Sequence, residues 1–232
     1  MRISFKSNLI SGQLIRRYKR FLADVRIEGG EFVIAHCPNP GAMTGCMKEN
    51  CRIWLQKSTN PRRKLKWTWE LSDLETAMIL VNTQRTNQII LEVLTHKKPS
   101  FFSAYPIIKT EVKTEDGSRI DFCLSNEKKR YWLEVKSATY LLKKGVAAFP
   151  DSPTKRGAKH LKVLTRKVKG GDRAGLVYVI GRTDATTVVP AVDIDPNYAN
   201  EVKKAKKAGV DFYCLTTNIT TQGIFPLSFF AL

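Results

Sequence analysis

SRIDFCLSNEKKRYWLEVKS (residues 118–137) reads as two strands around a polar turn, and it decides the fold class. Ser118–Leu124 and Tyr131–Ser137 are apolar-rich runs, and Ser125–Lys129 between them is a polar turn, the pattern of a hairpin. Side chains alternate along a strand, so Glu134 and Lys136 share a face while Val135 points to the other side. Asp121 sits on the partner strand, where it can come level with them. An Asp and a Glu converging beside a Lys form a hard-oxygen pocket suited to Mg²⁺ or Mn²⁺, with the Val135 carbonyl as an extra ligand. Such an ion polarises a phosphate and acidifies water, and Lys136 can stabilise the charge that develops in phosphodiester hydrolysis. The ordinary alternative is an exposed strand face carrying a cross-strand ion pair. Context favours the pocket: Ile120, Phe122, Leu133 and Val135 make both strands half-buried, and buried carboxylates need a compensating cation or hydrogen bonds.

Outward from this hairpin, Pro106–Thr114 supplies a third strand before the turn at Glu115-Asp116-Gly117. A helix from Thr83, as N-cap, to about His96 precedes it and offers Glu92 as a third carboxylate, with Glu111 on the first strand a weaker competitor. Downstream come a helix opening at Ser152-Pro153 and closing at Gly170-Gly171, a wholly apolar strand Ala174–Ile180, a helix Asn197–Ala208 and a strand Val210–Leu215. Three strands, helix, strand, helix, strand make an α/β sandwich. The first part of the chain differs. Leu14–Ile27, Glu31–Cys37, Cys51–Gln56, Leu65–Leu71 and Ala77–Val81 are short strands separated by Gly- and Pro-rich turns, the spacing of a small closed barrel of OB type. The expected architecture is therefore mixed α/β (α+β): an OB-like β-barrel over residues 1–83 and an α/β sandwich over 84–232.

Two basic features surround this scaffold. Lys155, Lys159, Lys162, Arg166 and Lys169 fall in one narrow sector of the helix after Pro153, opposite Leu161, Leu164 and Val168. A stripe of one sign suggests a phosphate track, with Arg156 and His160 at its leading end, although a lone His on an apolar flank is commonly structural. In the barrel, Arg16-Arg17-Tyr18-Lys19-Arg20-Phe21 and Arg62-Arg63-Lys64-Leu65-Lys66-Trp67 interleave bases with aromatics, a mixture suited to phosphate contact and base stacking. HCPNPGAMTG (36–45) is turn-rich and carries no chemistry of its own.

Composition fits a polyanionic partner. The 232 residues hold 39 Lys and Arg against 21 Asp and Glu, a net charge of +18. Fold does not require such an excess, and phosphate neutralisation exploits it. A thermophile's ion-rich surface would raise acids as well as bases. No apolar leader and no membrane-length run are present, so a membrane role is not expected. Five cysteines with no C-x-x-C pair fit reduced thiols in the cytoplasm, and His36, Cys37, Cys46 and Cys51 match no common zinc spacing.

LIRRYKRFLADV (14–25), HCPNPGAMTG (36–45), NPRRK (60–64), VNT (81–83), SRIDF (118–122), LEVKS (133–137) and FPDSPTKRGAKHL (149–161) together resemble the bacterial and archaeal sugar fermentation stimulation protein family. The resemblance spans nearly the whole chain. It implies an OB-type domain joined to a restriction-endonuclease-like domain of the PD-(D/E)xK nuclease superfamily, DNA rather than RNA as partner, and a regulatory link to sugar (maltose) metabolism. It also implies that Asp121, Glu134 and Lys136 stand at the superfamily's metal and catalytic positions, and Glu92 at the helix carboxylate of some branches. Ile120 replaces the Pro that the superfamily often has, but that Pro is not a ligand. Two readings stay open: a Mg²⁺-dependent phosphodiesterase, and a DNA-binding regulator without turnover.

Overall fold

The computed structural model describes all 232 residues. Its N-terminal strands are β1 (Leu9–Tyr18), β2 (Leu22–Ile27), β3 (Phe32–His36), β4 (Arg52–Lys57), β5 (Trp67–Asp73) and β6 (Met78–Leu80). They pair in the order β3-β2-β1-β4-β5-β6, and β3 meets β5 in parallel through Ala35↔Trp67 and His36↔Thr68, which closes a five-stranded OB barrel. Leu14, Val25, Ala35, Ile53, Leu55 and Trp69 fill it. The expected single strand Leu14–Ile27 is two strands, because the chain reverses at Lys19-Arg20. Both residues are left-handed (φ 45° and 64°), and with Phe21 they make the three-residue turn between the paired Tyr18 and Leu22.

The second sheet runs β15-β14-β12-β9-β8-β7. Here β7 is Ile107–Lys113, β8 Arg119–Ser125, β9 Arg130–Ala138, β12 Arg173–Ile180, β14 Asp211–Thr220 and β15 Gly223–Ala231. The central β9, β12 and β14 are parallel, and their flanking strands are antiparallel. Helix α1 (Arg85–His96) covers one face, where Ile89, Ile90 and Leu94 pack with Phe122, Leu133 and Val177. Helices α2 (Lys155–Lys169) and α3 (Pro196–Lys207) cover the other, where Leu161, Leu164 and Val202 pack with Trp132, Leu176 and Tyr178.

Several local expectations shift. Thr83 does not cap α1: its hydroxyl donates to the Pro38 carbonyl, and the helix starts two residues later. Pro153 lies before α2 rather than in its first turn, and Thr154 is the cap, accepting from the Gly157 amide. Strands β10 (Tyr140–Lys143), β11 (Gly145–Phe149) and β13 (Ala185–Pro190) form an unanticipated small sheet, and β15 is likewise unanticipated. No helix is long and apolar enough to cross a membrane. All five cysteines are unpaired and buried.

Packing crosses the turn after β6. Ile3 bridges to Ile224 and Ile79 to Arg182, and Ile3, Leu71 and Leu80 belong to the same apolar cluster as Ile89 and Leu215. A buried polar knot ties the halves as well. Arg85 of α1 donates to Glu70 of β5 (3.0 and 3.1 Å) and to the Gln56 side-chain oxygen of β4 (2.9 Å), while Asn82 donates to both Glu70 oxygens. Breaking such a pair leaves a buried charge without its partner. Urea unfolding of Glu70→Ala should therefore show a loss of about 3–5 kcal/mol, and Glu70→Met/Arg85→Met a much smaller one. A loss below about 1 kcal/mol in the single variant would show that the knot does not hold the halves together.

Candidate active site

Glu134 projects from the middle of β9, and only 2% of its side chain is exposed. Its Oε1 accepts from the Lys136 ammonium two residues along the same face (2.5 Å) and meets the His160 Nδ1 of α2. Its Oε2 is buried and has no partner. Burial pushes the carboxyl's pKa up, but Lys136 and then His160 pull harder and hold it down at about 2. Lys136 Nζ also lies 3.5 Å from His160 Nδ1, so the two basic groups bracket one carboxylate oxygen and leave the other unpaired.

Asp121 reaches the same place because the sheet opens beside it. The β8–β9 ladder pairs Ser125↔Arg130 through Phe122↔Leu133 and stops there. The neighbouring β7–β8 ladder steps from Thr110↔Phe122 to Val112↔Ile120, passing over Glu111 and Asp121, and Glu111 is left-handed (φ 53°). Across this interruption the strands change face: Phe122 packs on the α1 side and Ile120 on the α2 side. Interruptions of this kind re-aim side chains next to functional sites. Asp121 Oδ2 accepts from the Val135 amide (2.8 Å), replacing a ladder bond, and its Oδ1 accepts from the Asn87 side chain of α1 (2.8 Å). A strand residue's N–H and C=O point to the same side, so the Val135 carbonyl faces the same opening. Burial above all, and then the charge of Glu134, raises the Asp121 carboxyl to about 6.

This arrangement fits a hard divalent cation. Two carboxylates that repel each other, an unpaired buried oxygen on Glu134 and the Val135 carbonyl are oxygen donors, and the one ammonium beside them, Lys136, is engaged by the other Glu134 oxygen. The helix contributes differently from expectation. Glu92 is absent from the site: its side chain is 39% exposed and pairs with His96 at 3.3 Å. It stands five residues beyond Asn87, about 140° around the helix, so Asn87 is the α1 residue that touches Asp121. Asn87 also lies 3.5 Å from Glu111, which otherwise faces Arg119 at 3.7 Å.

The carboxylates open into a cavity of about 510 Å³ with walls from both halves of the chain, including Arg20, Asn39, Pro40 and Gly41 of the barrel and Asp151 and Arg156 beyond the sheet. The turn-rich loop thus has a place after all. The Met43 amide donates to Asp151 (2.8 Å), and a Cβ on Gly41 would stand 2.3 Å from that carboxylate, so a larger residue there would have to displace Asp151 and its bond to the loop. Lys155, Arg156, Lys159, Lys162, Arg166 and Lys169 are all exposed on α2. The stripe is not wholly free, since Arg166 pairs with Asp116 of the β7–β8 turn (2.5 Å). His160 does not belong to it: the ring is buried against Glu134. Arg17 is also reassigned, because its guanidinium donates to the carbonyls of Arg20, Asn39 and Gly41 and fixes the loop. Arg16 is exposed but paired with Asp24 (2.7 Å), Lys19 and Arg20 are exposed at the hairpin tip, Arg62 is exposed, and Arg63 lies 3.5 Å from His36.

Comparison with known proteins gives a consistent picture. Residues 84–223 match the family model described as the sugar fermentation stimulation protein RE domain, and residues 15–81 match the SfsA N-terminal OB domain. A sugar fermentation stimulation protein homolog of Roseobacter denitrificans is 43% identical over 223 residues, covering 95% of both chains. One from Thioalkalivibrio sulfidiphilus is 42% identical over 223 residues, covering 96% of this chain and 94% of its own. The solved structure of Pyrococcus furiosus SfsA in complex with Ca²⁺ superposes with a TM-score of 0.89 at 22% identity, covering 99% of this chain and 97% of that one, which is a likeness of fold.

A carboxyl with a higher pKa folded than unfolded binds more protons folded, so its contribution to stability falls as pH rises from 3.8 to about 6. Replacing Asp121 by Asn removes that penalty. In metal-free urea melts, Asp121→Asn should gain on the wild type between pH 4 and pH 7, by up to about 3 kcal/mol. A constant difference across that range would show that the Asp121 carboxyl is not raised above its ordinary range.

Proposed function

Because this chain belongs to the sugar fermentation stimulation protein family, with that family's OB and RE domains both matched, we propose that it is a DNA-binding protein, largely indifferent to sequence, that hydrolyses phosphodiester bonds with Mg²⁺ or Mn²⁺. The observation that carries this reading is the unpaired, buried Glu134 Oε2 beside an Asp121 that burial and Glu134 drive toward protonation. A protein that only held phosphates would gain nothing from two acids there, since they repel the ligand unless a cation intervenes.

Asp121, Glu134 through Oε2, and the Val135 carbonyl are the groups that would hold the ion. When bound, a divalent cation polarises a phosphate oxygen and acidifies a coordinated water. Pyrococcus furiosus SfsA was solved in complex with Ca²⁺, an ion that takes the same class of oxygen ligands. Asn87 and the Val135 amide fix Asp121 by one hydrogen bond to each oxygen. His160 and Lys136 hold Glu134 Oε1 and so leave Oε2 as the oxygen without a partner. Lys136 supplies a cation for the charge that grows on the phosphate during attack. Arg20 and Arg156 line the cavity where they can take neighbouring phosphates, and the exposed bases of α2 extend that surface. Specificity for base sequence is not expected from contacts of this kind.

The second reading is binding without turnover, in keeping with a regulatory role in sugar metabolism. It draws on the Lys136 ammonium that already pairs with Glu134. Calorimetric titration of Mn²⁺ together with cleavage of labelled DNA separates the two. Asp121→Ala and Glu134→Ala should lose metal binding and cleavage while keeping DNA affinity in chelator. Lys136→Ala should keep metal and slow cleavage about 10²–10³-fold, because it removes a contact made in the transition state. Wild-type protein that binds DNA yet neither takes up the ion nor cuts would favour the second reading instead.

A further inference from the structure

A second cavity, of about 540 Å³, lies between the barrel and the start of α1, and apart from Pro38 every side chain that lines it is polar or charged. Its floor is the Glu70–Arg85–Asn82 knot, in which the one acid of the lining is saturated by its neighbours. Above that floor stand Lys6, Lys57 and Arg63, giving the cavity a net positive charge. Gln56 also lines it. Arg85 donates to the Gln56 oxygen, and this bond fixes which end of the amide is which. The amide nitrogen then has no partner, although the residue is only 8% exposed, and the Ser7 hydroxyl on the same lining is equally unpartnered. Unsatisfied buried donors are costly, and a ligand bearing acceptors recovers that cost.

This lining turns away apolar ligands and welcomes an anion that also carries hydrogen-bond acceptors. A nucleotide unit has both, in its phosphate and in the carbonyl or ring nitrogen of its base. The cavity is not isolated either. Gln84 lines both it and the carboxylate cavity, so the two are neighbouring stretches of one groove along the seam of the domains.

We propose that this cavity holds one unpaired nucleotide of the strand whose backbone passes the Asp121–Glu134 site, with its base edge on Gln56 and its phosphate on Arg63 and Lys57. The inference rests on the nucleic-acid reading above and names its substrate class: single-stranded, frayed or flapped DNA rather than continuous duplex. A base edge that faces Gln56 cannot also face a complementary strand, so pairing and seating exclude each other. Glu70 and Arg85 play no direct part in the contact. They orient Gln56.

The test is binding in chelator, where cleavage plays no part. Fluorescent oligothymidylate and a duplex of equal length are titrated against the full chain, with thymidine 5′-monophosphate and inorganic phosphate as competitors. The wild type should favour the single strand, and the mononucleotide should compete far better than phosphate. Gln56→Glu keeps the acceptor for Arg85 and replaces the donor. Arg63→Ala lies outside the buried knot and guards against a folding defect in the first variant. Each should weaken single-strand binding about tenfold and duplex binding by about twofold or less. Equal losses on both DNAs, no loss on either, or phosphate competing as well as the mononucleotide would overturn the proposal. Strand discrimination that persists in a protein without metal-dependent cleavage would support this inference and remove the nuclease reading alone.

Discussion

Glu134 is a carboxylate placed where a carboxylate is least welcome, in the centre of a parallel strand under a helix. Burial of that depth costs several kcal/mol unless charge and hydrogen bonds compensate. The compensation determines much of the surrounding architecture. Lys136 must share its face of β9, which strand alternation provides, and His160 must arrive from α2, which packs on that face through Leu161 and Leu164. Trp132 and Leu176 on the same side keep water out. The residual imbalance is informative: one oxygen of Glu134 is doubly bonded and the other has nothing.

The second constraint is the break in the sheet. A continuous ladder would bury the Val135 amide and carbonyl in hydrogen bonds to β8. Instead the ladder ends at Phe122↔Leu133, the strands cross faces at Glu111 and Asp121, and the Asp121 side chain takes the free amide. The left-handed Glu111 stores about 1–3 kcal/mol of backbone strain, which the adjoining core must outweigh. Lys19 and Arg20 hold the same conformation at the β1–β2 turn, and Arg20 reaches the same cavity. The barrel becomes part of that site through the Arg17-braced loop and its contact with Asp151, while the Glu70–Arg85 knot and the shared apolar cluster hold the two domains in register.

Much of this is legible in the sequence because it depends on local periodicity. The hairpin around Asn126, the shared face of Glu134 and Lys136, the amphipathic α2 and the run of short barrel strands all follow from alternation and helical spacing. What is not legible depends on contacts between distant segments. Nothing local distinguishes Asn87 from Glu92 as the α1 residue facing Asp121, because the choice depends on the rotation of α1 against the sheet. HCPNPGAMTG reads as a plain loop until Asp151, over a hundred residues later, explains why Gly41 has no room for a side chain. Arg17 reads as one more base in a basic run, yet its neighbours are carbonyls. The small β10–β11–β13 sheet escapes for a related reason: its parallel β11–β13 pairing joins segments far apart in sequence.

On the reading proposed above, the opening between β8 and β9 is a divalent-cation site. Paramagnetic broadening of backbone amide signals during a Mn²⁺ titration locates the ion without requiring turnover. Val135 and its neighbours, together with Asp121 and Phe122, should broaden first, and Glu134→Gln should abolish the effect. Broadening first at the exposed Glu115-Asp116 turn, with the Val135 signal unchanged, would contradict it.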